Sequence, residues 1–271
     1  DNYNGWYYEN GQAYWYDNGV LARSKEVYDP QTDAWYWFEA DGTMARDKDV
    51  FIVLNADGTG KWTRYDSDGR MVKGESYKNG AWYYFDTATG KMAHGKYYRD
   101  GAYYYYDTVT GIMQYGEQTI DGDEYYFDTE TGAMVTGEVE RDGRYYYYDD
   151  ETGAMLGLGE QIVKYAEKFL GTPYTWGGTS PDTGFDCSGF TQYVYSNFGI
   201  DLDRTSSAQR RQGEAVDEDD IMPGDLVCYS GHVAIYVGNN QMYHAGNPIG
   251  YADLSSSYWQ QHLIGAGRVK Q

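Results

Sequence analysis

The chemistry in this chain starts from one cysteine. Cys187 follows a turn-rich run, Gly177-Gly178-Thr179-Ser180-Pro181-Asp182-Thr183-Gly184, and precedes Phe190, Val194 and Phe198 at helical spacing, closed by Gly199. That pattern places Cys187 at or near a helix N-terminus, where N–H groups and the helix dipole favour the thiolate, the nucleophilic form. The plainer reading of a free cysteine is a small buried hydrophobe. The second cysteine, Cys228, reads that way, because it sits in the apolar run Leu226-Val227-Cys228-Tyr229. A nucleophilic cysteine also needs an imidazole to take its proton and a third polar group to orient that imidazole. Four histidines are available. His94 falls in a turn and His262 in a Gln-rich terminal stretch, whereas His232 opens one predicted strand and His244 lies on its hairpin neighbour. Paired strands present both imidazoles on one face, and a helix N-terminus packed across them brings Cys187 into reach. Zinc is the rival use of such a set, but no Cys-x-x-Cys or His-x-x-His spacing supports it, so no metal or other cofactor is expected.

The elements that must hold these residues read as a compact α+β domain over residues 157–271. Ile162, Ala166, Phe169 and Leu170 follow helical spacing, ended by Gly171 and Pro173. The Cys187 helix follows, then a polar stretch from Arg204 to Asp220. Strands are expected at 225–229, 232–237 and 241–245. Helices early and antiparallel strands late make this α+β.

Residues 1–156 have another texture. They hold 24 of the 33 tyrosines, with 14 Lys+Arg against 29 Asp+Glu. The whole chain carries net charge −21, which disfavours nucleic acid and anionic membrane surfaces as partners. No run of eighteen apolar residues is present, so no membrane span is expected. Two cysteines give no disulfide framework, and the chain opens at Asp1 without a Met, as a mature or trimmed protein does.

Tyr83-Tyr84-Phe85-Asp86, Tyr104-Tyr105-Tyr106-Asp107, Tyr125-Tyr126-Phe127-Asp128 and Tyr146-Tyr147-Tyr148-Asp149 recur every 21 residues. Each is followed by Thr-Gly and then by Met92, Met113, Met134 or Met155. Looser copies upstream bring the array to about seven units. Asn79-Gly80, Asp100-Gly101, Asp121-Gly122 and Asp142-Gly143 are hairpin-turn dipeptides. One hairpin cannot bury a core, but stacked hairpins can, so the segment is expected to be a solenoid of β-hairpin repeats. Most of its Tyr and Met then serve inter-repeat packing. Acidic steps such as Asp66-Ser67-Asp68-Gly69 lack the twelve-residue calcium loop and read as turns.

These repeats resemble the choline- and glucan-binding repeats of Gram-positive surface proteins over roughly residues 3–156. The resemblance implies aromatic cages or platforms for a cell-wall polymer: choline, another teichoic-acid group or a glycan. The family's repeat opens Gly-Trp, which only Gly5-Trp6 keeps. The later steps are Gly74-Glu75, Gly95-Lys96, Gly116-Glu117 and Gly137-Glu138, and at the Gly-Glu steps the carboxylate either holds a cation or faces solvent. The candidate ligand residues are the early tryptophans Trp6, Trp15, Trp35, Trp37, Trp62 and Trp82.

Residues 160–270 resemble the NlpC-type cell-wall cysteine peptidases, a papain-like fold. The matching stretches are 171–178 (Gly-Thr-Pro-Tyr-Thr-Trp-Gly-Gly), 185–190 (Phe-Asp-Cys-Ser-Gly-Phe), Arg204-Thr205-Ser206, 223–227, 231–238 and Tyr243-His244-Ala245. The resemblance implies Cys187 as nucleophile, His232 as general base and acid, and His244 as the residue orienting it. Tyr174 and the Cys187 N–H would assist the oxyanion, and Asp186 and Ser188 would hold the peptide amine end. It implies a secreted, wall-associated endopeptidase acting on peptidoglycan stem peptides, at the bond from the γ-carboxyl of D-Glu to the diamino acid. The alternatives are an amidase cutting before L-Ala, and a non-catalytic surface binder.

Overall fold

The computed structural model describes residues 2–270. By internal contacts the chain divides into two units, residues 1–118 with 126–134, and residues 119–125 with 135–271.

Among the described residues, seven antiparallel hairpins run through the repeat region: Gly5–Glu9 with Gln12–Asp17, Lys25–Asp29 with Ala34–Phe38, Lys48–Val53 with Gly60–Tyr65, Gly74–Lys78 with Ala81–Phe85, Gly95–Arg99 with Ala102–Tyr106, Gly116–Ile120 with Asp123–Phe127, and Gly137–Arg141 with Arg144–Tyr148. The turn dipeptides act as expected. Asn79 and Gly80 have φ of 51° and 79°, and Asp100 and Gly101 of 49° and 85°, so both central residues are left-handed as a tight hairpin requires. The Asp that closes each aromatic strand starts the next turn. Asp86 Oδ1, for example, accepts the N–H groups of Ala88 and Thr89 at 2.9 and 2.8 Å.

The Gly-x-Met signature is the joint between neighbouring repeats. Met71 N–H donates to Trp35 O, and Met92 N–H to Trp62 O, each at 2.8 Å. The thioether then lies on the glycine of the following unit: a Cβ on Gly111 would sit 2.5 Å from Met92 Sδ, and one on Gly132 2.5 Å from Met113 Sδ. These glycines also have φ near +76° and +79°, so two demands select the same residue. Phe38, Phe85, Tyr106 and Phe127 are fully buried in the resulting seams.

Among the described residues of the second unit, four α-helices flank a six-stranded sheet. The helices are α1 (Leu158–Glu167), α2 (Cys187–Ser196), α3 (Ser206–Gln212) and α4 (Ser257–His262). The antiparallel sheet runs in the order Glu214–Val216, Leu263–Arg268, Leu226–Tyr229, His232–Gly238, Gln241–His244, Gly250–Asp253. Helix α1 stops at Glu167, earlier than its apolar spacing suggests. The N–H groups of Lys168, Phe169 and Leu170 turn to carbonyls three residues back, a tightened last turn that still buries Phe169. Phe190, Val194 and Tyr195 of α2 are fully buried against Leu226, Cys228, Val233 and Ile235 of the sheet. Cys228 is thus a core side chain, and burial pushes its thiol up to about 11.

The last hairpin packs into this same core. Tyr147 is 5% exposed in a cluster with Ile162, Tyr165 and Ala166. Asn197, just after α2, accepts the Tyr145 N–H with Oδ1 and donates Nδ2–H to Tyr145 O, both at 2.9 Å, as a neighbouring strand would. Gln161 of α1 accepts the Tyr147 N–H at 3.1 Å and donates to Leu156 O at 2.9 Å.

Candidate active site

Cys187 is the first residue of α2, half-buried, with a free thiol. Asp186 caps the helix, accepting the Gly189 N–H at 2.7 Å. Arg204 grips both Asp186 oxygens, at 3.1 and 2.7 Å, and reaches Ser188 Oγ at 2.7 Å. The polar atoms of Asp186 and Ser188 therefore brace the start of α2, with Ser188 only 6% exposed. Arg204, of the Arg204-Thr205-Ser206 motif, has its place in this brace. Hydrogen bonds from the helix N-terminus and Arg204 hold the Asp186 carboxyl below its usual range in spite of burial.

The Cys187 Sγ lies 3.9 Å from Gly231 O, at the residue preceding His232. Helix α2 and the strand that begins with His232 thus converge at their ends. His232 Nε2 and His244 Nδ1 are 3.1 Å apart, so the two imidazoles are hydrogen-bonded to each other across adjacent strands. With Nε2 bound to His244, the His232 ring has Nδ1 as its other nitrogen. Tyr174 is 36% exposed and bridges Phe185, two residues before the thiol, while Trp176 beside it is 89% exposed.

The electrostatics differ from the expectation of a thiolate. Burial pushes the Cys187 thiol up, the Asp186 charge adds to this, and the N–H groups of Val233, Ser188 and Cys187 only offset it in part. Burial, and then the second imidazole, push His232 down to about 4, and burial lowers His244. Burial thus works against the charged form at both groups, and at Cys187 it outweighs the stabilisation from the helix end.

Sequence reasoning missed Trp259. Its ring is 5.5 Å from the His232 ring at an interplanar angle of 23°, and 5.3 Å from His244 at 78°. The available signal was a lone tryptophan in a polar stretch otherwise set aside as Gln-rich.

The six early tryptophans do not form one site. Trp6 and Trp15 meet edge to face at 5.3 Å, and Trp6 with Tyr8, Tyr36, Met44, Arg46 and Asp68 lines a cavity of about 240 Å³. Trp15 and Trp35 line a separate groove with Tyr16 and Tyr28. Trp37 packs beside Ala45, Tyr65 and Met71. Trp62 and Trp82 are exposed partners of Phe51 and Tyr77 across their own hairpins. At two of the Gly-Glu steps the Glu holds a cation from the chain itself. Glu75 pairs with Arg99 at 2.9 Å, whose guanidinium lies 4.6 Å over Tyr84 and 3.9 Å over Tyr104. Glu138 pairs with Lys168 at 2.7 Å.

Comparison with known proteins matches stretches of the chain to two families. Residues 171–268 match the NlpC/P60 family, and residues 57–97 and 114–157 match the choline-binding repeat. Among curated proteins, the bifunctional muramidase/DL-endopeptidase CwlT of Bacillus subtilis is 42% identical over 120 residues, 41% of this chain and 36% of that protein. The probable endopeptidase p60 of Listeria seeligeri is 48% identical over 114 residues, 40% of this chain and 22% of that protein. The chain thus spans well under half the length of both relatives. Among solved structures, the NlpC/p60 domain of the peptidoglycan hydrolase SagA is 34% identical over 42% of this chain and 100% of that one, with a TM-score of 0.38.

Proposed function

Starting from a chain whose residues 171–268 form an NlpC/P60-family domain behind choline-binding-type repeats, we propose that it is a cysteine endopeptidase of peptidoglycan stem peptides, acting outside the cell at the wall. The observation that carries this is the convergence of the Cys187 end of α2 on the strand of a hydrogen-bonded His232–His244 pair. The bond assigned is the one from the γ-carboxyl of D-Glu to the diamino acid, in keeping with the DL-endopeptidase named among the relatives.

Each residue has a task. His232 takes the thiol proton as Cys187 Sγ bonds to the scissile carbonyl carbon, giving a tetrahedral oxyanion. First-turn N–H groups of α2 and the Tyr174 hydroxyl stabilise that oxygen. His232 then gives its proton to the leaving amine as the C–N bond breaks, leaving a thioester. Water, deprotonated by His232, attacks the thioester and releases the acid and the thiol. His244 holds the His232 ring throughout. Residues 157–271 carry the reaction, and the repeats of residues 1–156 hold a wall polymer through the early Trp clefts.

Mass analysis of soluble muropeptides after digestion tests the bond. A new amine on the diamino acid is expected. A free L-Ala amine means an amidase instead, and undigested peptides with a demonstrably free thiol mean a surface binder.

A further inference from the structure

Helix α4 carries Trp259, and the scaffold sets its ring. Gln260 N–H donates to Ser256 O at 3.0 Å, and Gln260 Nε2 to Leu254 O at 2.7 Å. Leu254 is 4% exposed among Val227, Ala234 and Met242, and its N–H donates to Asn240 O at 2.8 Å. From that anchor the indole lies nearly parallel to His232, edge-on to His244, and 4.8 Å from the Tyr229 ring.

We propose that Trp259 is a positioning residue for the imidazole pair, covering the His232–His244 hydrogen bond so that the His232 ring keeps its plane and water is kept off it. This rests on the reading of His232 as the base. A single hydrogen bond from Nε2 fixes one point of a ring and leaves it free to swing about that contact. An aromatic face fixes the plane as well. The same cover protects the bond, which is stronger where water cannot compete for it. The titratable groups around His232 are His244 from the next strand, Tyr229 from the strand on the other side and Cys187 from α2. None of them is a carboxylate. The indole brings no net charge: its π face favours the imidazolium while its bulk keeps water away, and the proposal holds that the exclusion of water is the larger effect.

The test compares Trp259→Phe and Trp259→Ala in the full chain. Trp259→Ala should lower kcat about tenfold with KM changed less than about threefold, because a misaligned base slows chemistry rather than binding. Its acid limb in kcat/KM should move alkaline by roughly one pH unit as water reaches the ring. Trp259→Phe keeps a flat ring and should restore most of both. A second arm needs no turnover: NMR titration of the histidine imidazoles in Cys187→Ala, with and without Trp259→Ala. A rise in the His232 midpoint supports the proposal. If that rise appears while the protein with Cys187 intact cleaves no peptide, the peptidase reading fails and the positioning role stands. An unmoved midpoint and an unmoved acid limb overturn the proposal, even if activity falls together with Tm.

Discussion

Asn197→Ala tests whether the last repeat hairpin is part of the catalytic unit rather than a neighbour of it. The native side chain satisfies the N–H and the carbonyl of Tyr145 with two 2.9 Å bonds, and Asn197 is itself 9% exposed. Alanine leaves both backbone groups without that partner. An unsatisfied buried polar group costs about 1–3 kcal/mol, and Tyr145 is only half-buried, so the low end applies to each and the sum is roughly 2 kcal/mol. For a unit of this size, 1 kcal/mol moves Tm by about 2–4 °C, so the expected fall is roughly 4–8 °C. Amide hydrogen exchange locates the loss. Since Tyr147 of the same hairpin lies in one cluster with Ile162, Val194 and Tyr195, the amides of α1 and α2 should lose protection together with those of 144–148. Faster exchange confined to the hairpin, with α1 and α2 unchanged, would refute the reasoning.

Two further outcomes follow from named groups. Arg99→Ala removes a guanidinium that is 7% exposed, stacked on Tyr84 and Tyr104 and paired with Glu75. The loss should be roughly 3 kcal/mol in denaturant unfolding of the repeat unit, and a value under about 1 kcal/mol would show the stack to be incidental. His232 is held near 4 in the folded protein, below its ordinary 6.5, so the folded state binds fewer protons than the unfolded one between those values. Its contribution to stability is full above 6.5 and is lost as pH falls toward 4, and His232→Asn should flatten the Tm profile in that window.

Much of the architecture was legible because local chemistry dictates it. Asn-Gly and Asp-Gly allow the left-handed turns, and the 21-residue step from Tyr84 to Tyr105 to Tyr126 follows from the stacking of identical hairpins. Cys187 at a helix start, and His232 and His244 on adjacent strands, were legible for the same reason, as turn, helix and strand signals flank each of them. Other features depend on tertiary placement. The strands Glu214–Val216, Gly250–Asp253 and Leu263–Arg268 lack a clear alternation of apolar and polar residues, and the sheet forms them by pairing. The thiolate preference of a helix end is a local effect, whereas the burial that reverses it at Cys187 comes from the packing of α2 on the sheet. Trp259 is separated from His232 by 27 positions, and no periodicity links them. The early tryptophans cluster in sequence, yet strand alternation and hairpin pairing send them to different faces.

The most direct measurement of the central claim is cleavage of soluble muropeptides under reducing conditions by the wild type, Cys187→Ala and Cys228→Ser. The account predicts that Cys187→Ala produces no cleaved peptide, while Cys228→Ser, which alters a core side chain far up in pKa, keeps the product unchanged. Turnover by Cys187→Ala close to that of the wild type would contradict it.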